Sequence, residues 1–132
     1  MTTVDIAACR AYLQARKRQR DREREALHQQ VMQIVRTAVP PVLSAFPQVR
    51  RAYVFGSVAR PGATLRSDSD VDVAIEGTLS AEAYFALWRE LERAIPGWAV
   101  EVVELGGDLR FAERVRQMGE VIYERPDSDP ES

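Results

Sequence analysis

The sequence predicts an α/β domain in which helices cover a small mixed sheet and a long helix precedes that sheet. Three observations support this prediction. Residues 5–38 contain neither glycine nor proline, four short β-prone runs follow, and helical segments separate the last three of those runs. The predicted order is therefore helix, strand, strand, helix, strand, helix, strand. A length of 132 residues leaves room for one compact domain.

The N-terminal helix is predicted over residues 5–38. Its second half has the spacing of a buried stripe, formed by Leu27, Val31, Ile34, Val35 and Ala38. Residues 14–25 are helix-prone and basic but contain almost nothing apolar to bury. Pro40 and Pro41 are expected to end the helix, because proline lacks the amide hydrogen that a helix interior needs.

The first half of the sheet is predicted from two short runs. Residues 51–55 are β-prone and are stopped by Gly56, residues 57–60 could form one helical turn, and a loop follows to residue 69. In residues 70–75 the two aspartates fall on one side of the alternation, and the apolar Val71, Val73 and Ile75 fall on the other. This alternation predicts a strand whose acidic side chains share one face.

The second half is predicted from caps and breakers. Ser80 and Asp108 are predicted N-caps, and Gly119 is expected to end the last helix. The predicted elements are a helix at 80–95, a strand at 98–105, a helix at 108–118 and a strand at 121–123.

Charge and composition exclude several classes of protein. The net charge is −2 and the pI is about 5.5, so direct nucleic-acid binding is not expected. The single cysteine, Cys9, excludes an internal disulfide and a thiolate zinc site. No apolar run approaches the roughly 20 residues that span a membrane, and no secretory signal is present. We therefore expect a cytoplasmic protein with no membrane partner.

A phosphate-binding turn is predicted where the first strand meets Gly56 and Ser57. If a helix begins there, its free backbone N–H groups would attract an anion. Glycine allows close approach of the backbone, and the serine hydroxyl adds a hydrogen-bond donor. Arg60 could reach a phosphate, although a surface position for it is equally compatible with the sequence.

A cation site is predicted at Asp70 and Asp72. Two residues apart on a strand, their carboxylates point to one face, where like charges repel unless a cation lies between them. Oxygen ligands of this kind suit Mg²⁺. A calcium loop counted from Asp68 does not fit, because its sixth residue is Val73 and its twelfth is Leu79. A polar turn leading into a strand remains the other interpretation.

A third carboxylate is expected from the strand at 98–105. That strand carries Glu101 and Glu104, which lie on opposite faces, so only one of them can face the aspartate pair. Glu101 is the preferred candidate, and an exposed strand position is the alternative for it.

The segment VFGSVARPGATLRSDSDVDVAI resembles the signature of the minimal nucleotidyltransferases of the DNA polymerase β superfamily. WAVEVVEL is similar to the family's third-carboxylate strand, and VRQMGEVIYE to its closing helix and strand, so the resemblance covers about residues 31–124. The sequence departs from the family pattern in spacing. Ten residues usually separate the Gly-Ser from the first metal aspartate, and that spacing would make Asp68 the first ligand. The choice of Asp70 implies a two-residue insertion in the loop. Arg60 is separated from the family's glycine by a proline, and Glu101 replaces a more usual aspartate.

The resemblance implies a polymerase-beta-like fold, two Mg²⁺ ions and ATP or another NTP as substrate. It implies that Asp70, Asp72 and Glu101 are catalytic metal ligands, and that Gly56, Ser57 and Arg60 bind the nucleotide. Family members of this size are often antitoxins that add AMP to a tyrosine of a HEPN-domain ribonuclease, and a chain too short for a second acceptor-binding domain favours such a protein acceptor.

Two alternatives to this function stay open. The same fold could silence its partner by binding alone, without catalysis, or it could transfer a nucleotide to a small molecule such as an aminoglycoside. We expect three regions: a basic helical extension at 1–25, the nucleotidyltransferase domain at 26–125 and a disordered acidic tail at 126–132. A homo-oligomer is compatible with the sequence but is not predicted by it.

Overall fold

The computed structural model describes residues 5–60, 65 and 69–126. Within these residues the elements follow the predicted order, which confirms the α/β class with a long N-terminal helix. Most of the tail predicted to be disordered, residues 127–132, lies outside the described part. The elements are α1 Ile6–Ser44, β1 Arg51–Phe55, β2 Val71–Glu76, α2 Ala81–Ala94, β3 Val100–Glu104, α3 Leu109–Met118 and β4 Glu120–Glu124.

The four strands form one mixed sheet in the order β3-β2-β1-β4. β1 is antiparallel to both β2 and β4, whereas β2 and β3 are parallel. The end of β1 therefore lies beside the beginnings of β2 and β3. We call this the carboxylate end of the sheet, defined by Phe55, Asp72 and Glu101, which are paired across the three strands.

Strand alternation divides the sheet into two faces. Val71, Val73 and Ile75 are buried in the main core, which α1 and α2 cover. The opposite face carries a smaller cluster in which Tyr53 and Ala74 pack against Val115 of α3. Asp72 has the same strand phase as Ala74 and so lies on this second, less covered face.

The prediction that Pro40 and Pro41 end the first helix is wrong, because α1 continues through both to Ser44. The two prolines cannot donate the backbone hydrogen bonds of that turn. Val39 and Leu43, on the same side of the helix, are completely buried in the main core. Burial of side chains of this size contributes about 1.5–3 kcal/mol each, which offsets the lost hydrogen bonds.

The predicted caps of the later helices are confirmed. The Ser80 hydroxyl accepts a hydrogen bond from the Ala83 N–H at 3.1 Å. The Asp108 carboxylate accepts from the backbone of the first turn of α3 at 3.0 and 3.1 Å. Gly119 is the C-cap of α3, as predicted. These caps fix where α2 and α3 begin relative to the sheet.

Two arginines fasten α1 and the segment after it to β4. Arg36 donates two hydrogen bonds of 2.7 Å to the Glu120 carboxylate, and this ion pair holds the pKa of Glu120 below its usual value. Arg125 donates to the carbonyls of Phe46 and Val49, each at 3.0 Å, just after the end of α1. These contacts set the direction of α1 relative to the sheet.

Tyr84 joins α2 to the outer strand of the sheet. Among the described residues, β3 has β2 as its single neighbour in the sheet, so its other edge is free of strand pairing there. The Tyr84 hydroxyl donates a hydrogen bond to the Val102 carbonyl in the middle of β3. No helix among the described residues combines the length and the apolar composition needed to cross a membrane.

Candidate active site at the carboxylate end of the sheet

Gly56 lies immediately after β1, against the carboxylate of Asp72. Its φ is +75°, a conformation that side-chain-bearing residues rarely adopt. A Cβ atom at this position would lie 2.3 Å from Asp72 Oδ2. Glycine is therefore required for two separate reasons: the backbone conformation and the space that the carboxylate occupies.

Within the described residues, the segment after Gly56 is a single hydrogen-bonded turn at residues 57–60. The turn is closed by a hydrogen bond from the Arg60 N–H to the Ser57 carbonyl at 3.3 Å, and it is anchored by the buried Val58. Pro61 follows directly in the sequence and disfavours helical continuation. Ser57 is half-buried and Arg60 is exposed. Any anion bound here would meet the turn backbone and the serine hydroxyl.

Three carboxylates meet beside this turn. Asp70 precedes β2, Asp72 lies within it, and Glu101 is paired with Asp72 across the parallel β2–β3 ladder. One oxygen from each of the three lies within 4.8 Å of the others. Glu104 has the opposite strand phase and lines a shallow groove on the α2 side of β3. The structure thus brings Glu101, and not Glu104, to the aspartate pair.

The cluster perturbs the protonation of Asp72. Burial, together with the nearby charges of Glu101 and Asp70, raises the pKa of Asp72 to about 6. Three negative charges in this space oppose one another unless a cation joins them. A raised pKa of Asp72 is therefore the direction expected where three carboxylates converge on a place suited to a cation.

The donor set fits Mg²⁺. All three ligands are carboxylate oxygens, which a hard divalent cation prefers, and the absence of histidine or cysteine from the cluster argues against zinc. Asp70 and Glu101 are exposed and Asp72 is partly buried, so water and phosphate oxygens can reach the same point. The alternative first ligand, Asp68, lies outside the described residues, as does most of the loop after Arg60.

An aromatic contact beside the carboxylates was not predicted from the sequence. Phe55 is paired with Asp72 and lies on the same face of the sheet. Phe111 of α3 packs edge to face on Phe55, with ring centroids 5.7 Å apart. The only sequence signal for Phe55 is its strand phase, while Phe111 lies in a helix whose position depends on the folded chain. The pair gives the site one apolar wall.

α3 is held over this face by an ionic contact. Arg116 donates a hydrogen bond of 2.6 Å to Glu76 at the end of β2. The same carboxylate lies 3.9 Å from Arg51. These contacts fix α3 across Tyr53 and, through Phe111, fix the apolar wall of the site.

Comparison with known proteins supports the fold described above. The family model described as polymerase beta, nucleotidyltransferase matches residues 38–128. No curated protein matches the sequence significantly. A chain in the crystal structure of a mutant toxin–antitoxin MntA–HpeT is 21% identical, with a TM-score of 0.51 and 77% of each chain covered. That likeness shows a shared fold.

Two further crystal structures show weaker similarity. One is a toxin–antitoxin with AMP-PNP, which is 23% identical, has a TM-score of 0.49 and covers 74% of this chain and 73% of that one. The other is the toxin–antitoxin MntA–HepT, which is 19% identical, has a TM-score of 0.46 and covers 76% of this chain and 73% of that one.

Proposed function

The chain belongs to the polymerase beta nucleotidyltransferase family, and we propose that it is a Mg²⁺-dependent enzyme that transfers AMP from ATP to a protein hydroxyl. The observation that carries the proposal is the cluster of Asp70, Asp72 and Glu101 against the Gly56 turn. A cation site beside a turn that can receive phosphate is the arrangement that nucleotidyl transfer requires.

In the proposed reaction, the acceptor hydroxyl attacks the α-phosphorus of ATP. Asp70 and Asp72 hold the cation, Gly56 lets the turn backbone approach the triphosphate, and the Ser57 hydroxyl donates to a phosphate oxygen. Bound Mg²⁺ supplies charge neutralisation for the triphosphate. Glu101 receives the hydroxyl proton, an oxygen–phosphorus bond forms, the bond between the α- and β-phosphates breaks, and pyrophosphate leaves.

The proposed acceptor is a tyrosine of a HEPN-type ribonuclease toxin, which would make this chain a soluble, cytoplasmic antitoxin. This part of the proposal is taken from the family resemblance and from the fold neighbour, which belongs to a toxin–antitoxin pair. The exposure of Glu101 on an edge strand supports a protein acceptor, because a large partner can reach it without entering an enclosed pocket.

The test uses ATP labelled at the α-phosphate and, separately, at the γ-phosphate, with the protein encoded by the adjacent gene as acceptor. Label from the α-position alone should appear on the acceptor. Glu101→Gln should reduce transfer by about 10²-fold or more, whereas Glu104→Gln, on the other face of the same strand, should leave it within about twofold. The two variants remove one charge each from neighbouring positions, so they are matched.

Three results would contradict the proposal. Equal loss in the two glutamate variants would mean that charge alone, and not the cluster, supports activity. Silencing of the partner without label transfer would indicate an antitoxin that acts by binding. Label on an aminoglycoside and none on the protein would indicate a small-molecule acceptor.

A further inference from the structure

The N-terminal part of α1 projects from the domain as a free helix. Every residue from Asp5 to Ala26 is exposed, and the first buried residue of α1 is Val31. We call residues 6–26 the arm; at 1.5 Å per residue it is about 30 Å long. The family match begins at residue 38, so the arm lies outside the part of the chain that the family shares.

The arm extends past the carboxylate end of the sheet. At the other end, Arg125 binds the backbone that follows α1 and is itself bonded to Arg50, just before β1 begins. Farther back along α1, Arg36 binds Glu120, which is paired with Val54 near the end of β1. The N-terminal direction of α1 therefore leads toward the carboxylate end, and the arm continues beyond it.

One face of the arm is in phase with Val31 and Val35, which form one margin of the buried face of α1. At 100° per residue, an apolar and basic stripe falls within a sector of about 60°, and Val31 and Val35 fall within the same sector. The arm therefore presents this stripe about 60° to one side of the direction in which α1 faces the sheet. The stripe consists of Ile6, Leu13, Lys17, Arg20 and Arg24.

The composition of the stripe indicates what kind of surface it fits. Ile6 and Leu13, at its tip, are 68% and 60% exposed, which favours a partner with an apolar pocket. Lys17, Arg20 and Arg24 follow toward the domain, which favours an acidic surface next to that pocket. Two copies of the arm packed through this stripe would place like charges opposite each other at core positions.

Nucleic acid fits the arm less well than protein does. An exposed isoleucine and leucine add nothing to phosphate binding. The arm also carries Asp21, Glu23 and Glu25, which lie outside the stripe and lower the net positive charge on which binding to a phosphate backbone depends.

We infer that the arm docks the acceptor protein, through an acidic surface with an adjacent apolar pocket, and holds it in front of Asp72 and Glu101. This inference rests on the proposed function for the identity of the partner as the acceptor. Because α1 covers the main-core face of the sheet and Asp72 lies on the opposite face, an acceptor held by the arm reaches the carboxylates around the carboxylate end of the sheet. Docking of this kind lowers the KM for the acceptor and leaves the transfer step unchanged.

The test compares two pairs of charge reversals on the same helix. Arg20→Glu with Arg24→Glu changes the stripe. Arg18→Glu with Arg22→Glu changes charge equally, but these residues lie about 150° away on the helix surface. All four positions are exposed, so both double variants should fold, which a circular dichroism melt checks.

For the stripe variant, we expect the KM for the protein from the adjacent gene to rise about tenfold or more, with kcat and ATP–Mg²⁺ affinity unchanged. The control variant should stay within about twofold of the unaltered protein. The Kd for that partner, measured by calorimetry, should rise in parallel with KM. Leu13→Asp should give the same pattern through the apolar half of the stripe.

Several results would overturn the inference. The first is an equal effect of the two double variants on KM, or no effect of either. The second is a homodimer in sedimentation that the stripe variant dissociates. The third is arm-dependent binding of a 20-nucleotide single-stranded RNA without any change in partner affinity. Failure of the proposed function is distinguishable. If the partner binds through the arm but receives no label, transfer is refuted and docking stands; if transfer proceeds with an unaltered KM in the stripe variant, docking is refuted and transfer stands.

Discussion

Replacement of Asp72 by asparagine is expected to stabilise the metal-free protein while abolishing nucleotide transfer. Burial, together with the charges of Glu101 and Asp70, raises the pKa of Asp72 from 3.8 to about 6. A shift of about two pKa units corresponds to about 3 kcal/mol. Because Asp72 is only partly buried, solvent screening reduces the expected gain in unfolding free energy to about 1–2 kcal/mol.

The direction of the pH dependence follows from the raised pKa. The folded protein binds the Asp72 proton more tightly than the unfolded chain does, so this contribution to stability is fully present below about pH 3.8 and is lost as the pH rises through about 6. The asparagine variant has no such proton. The two proteins should therefore have similar stability near pH 4, and the variant should be more stable at pH 8.

Urea denaturation in EDTA, at pH 4 and pH 8, measures the difference. Added Mg²⁺ should stabilise the unaltered protein at pH 8 and have little effect on the variant, because the ion binds the folded carboxylates. A variant that is less stable than the unaltered protein at pH 8, or a difference that does not change with pH, would refute the assignment of Asp72 to a repulsive cation site.

Three further predictions concern the supports of the site. Gly56→Ala should lose about 1–2 kcal/mol of stability from its positive φ, and transfer should fall because the methyl group displaces the Asp72 carboxylate. Thermal melts measure the stability and labelled-ATP assays measure the transfer, and unchanged transfer would contradict the close contact. Leu43→Ala should lower the free energy of unfolding by about 2.5–5 kcal/mol in urea denaturation, since the Leu43 side chain, which follows Pro40 and Pro41 in α1, is completely buried. A loss below about 1 kcal/mol would show that this end of the helix contributes little to stability. Arg125→Met keeps the apolar stem but removes side-chain hydrogen bonds to three backbone carbonyls, so we expect a loss of about 1–3 kcal/mol in unfolding free energy, measured in the same way, with ATP affinity unchanged. Stability equal to that of the unaltered protein would contradict a clamping role.

Local pattern predicted most of the elements, and long-range contacts account for what it missed. The alternation around Asp72 predicts a strand with an acidic face, because strand periodicity is local. The continuation of α1 through Pro40 could not be predicted, because the burial of Leu43 that offsets the proline depends on α2 and the sheet. Proline rules describe the helix by itself and omit this packing energy.

The site was predictable as a set of candidates but not as a geometry. The sequence offers Glu101 and Glu104 on opposite faces of one strand, and the choice depends on the parallel register of β3 against β2. The close approach of Gly56 to Asp72 likewise depends on the pairing of β1 with β2. Arg125 contacts backbone carbonyls 76 to 81 residues away in the sequence, a separation that no local pattern reports.

The hydroxyl of Tyr84 has a consequence for solubility. The Val71 N–H donates to the Ala99 carbonyl, and the Leu105 N–H donates to the Ile75 carbonyl. In a parallel pair, every second residue of a strand bonds to the same neighbour, so the residues between them, with Val102 at the centre, direct their N–H and C=O groups away from β2. An open row of this kind is a template on which another chain can add a strand and begin an aggregate. The phenol occupies the central acceptor of that row, which an added strand would need for its own hydrogen bonds. A side chain from α2 thereby hinders intermolecular strand pairing at the free edge beside the carboxylate cluster, in addition to the charged Glu101 and Glu104 that β3 itself carries.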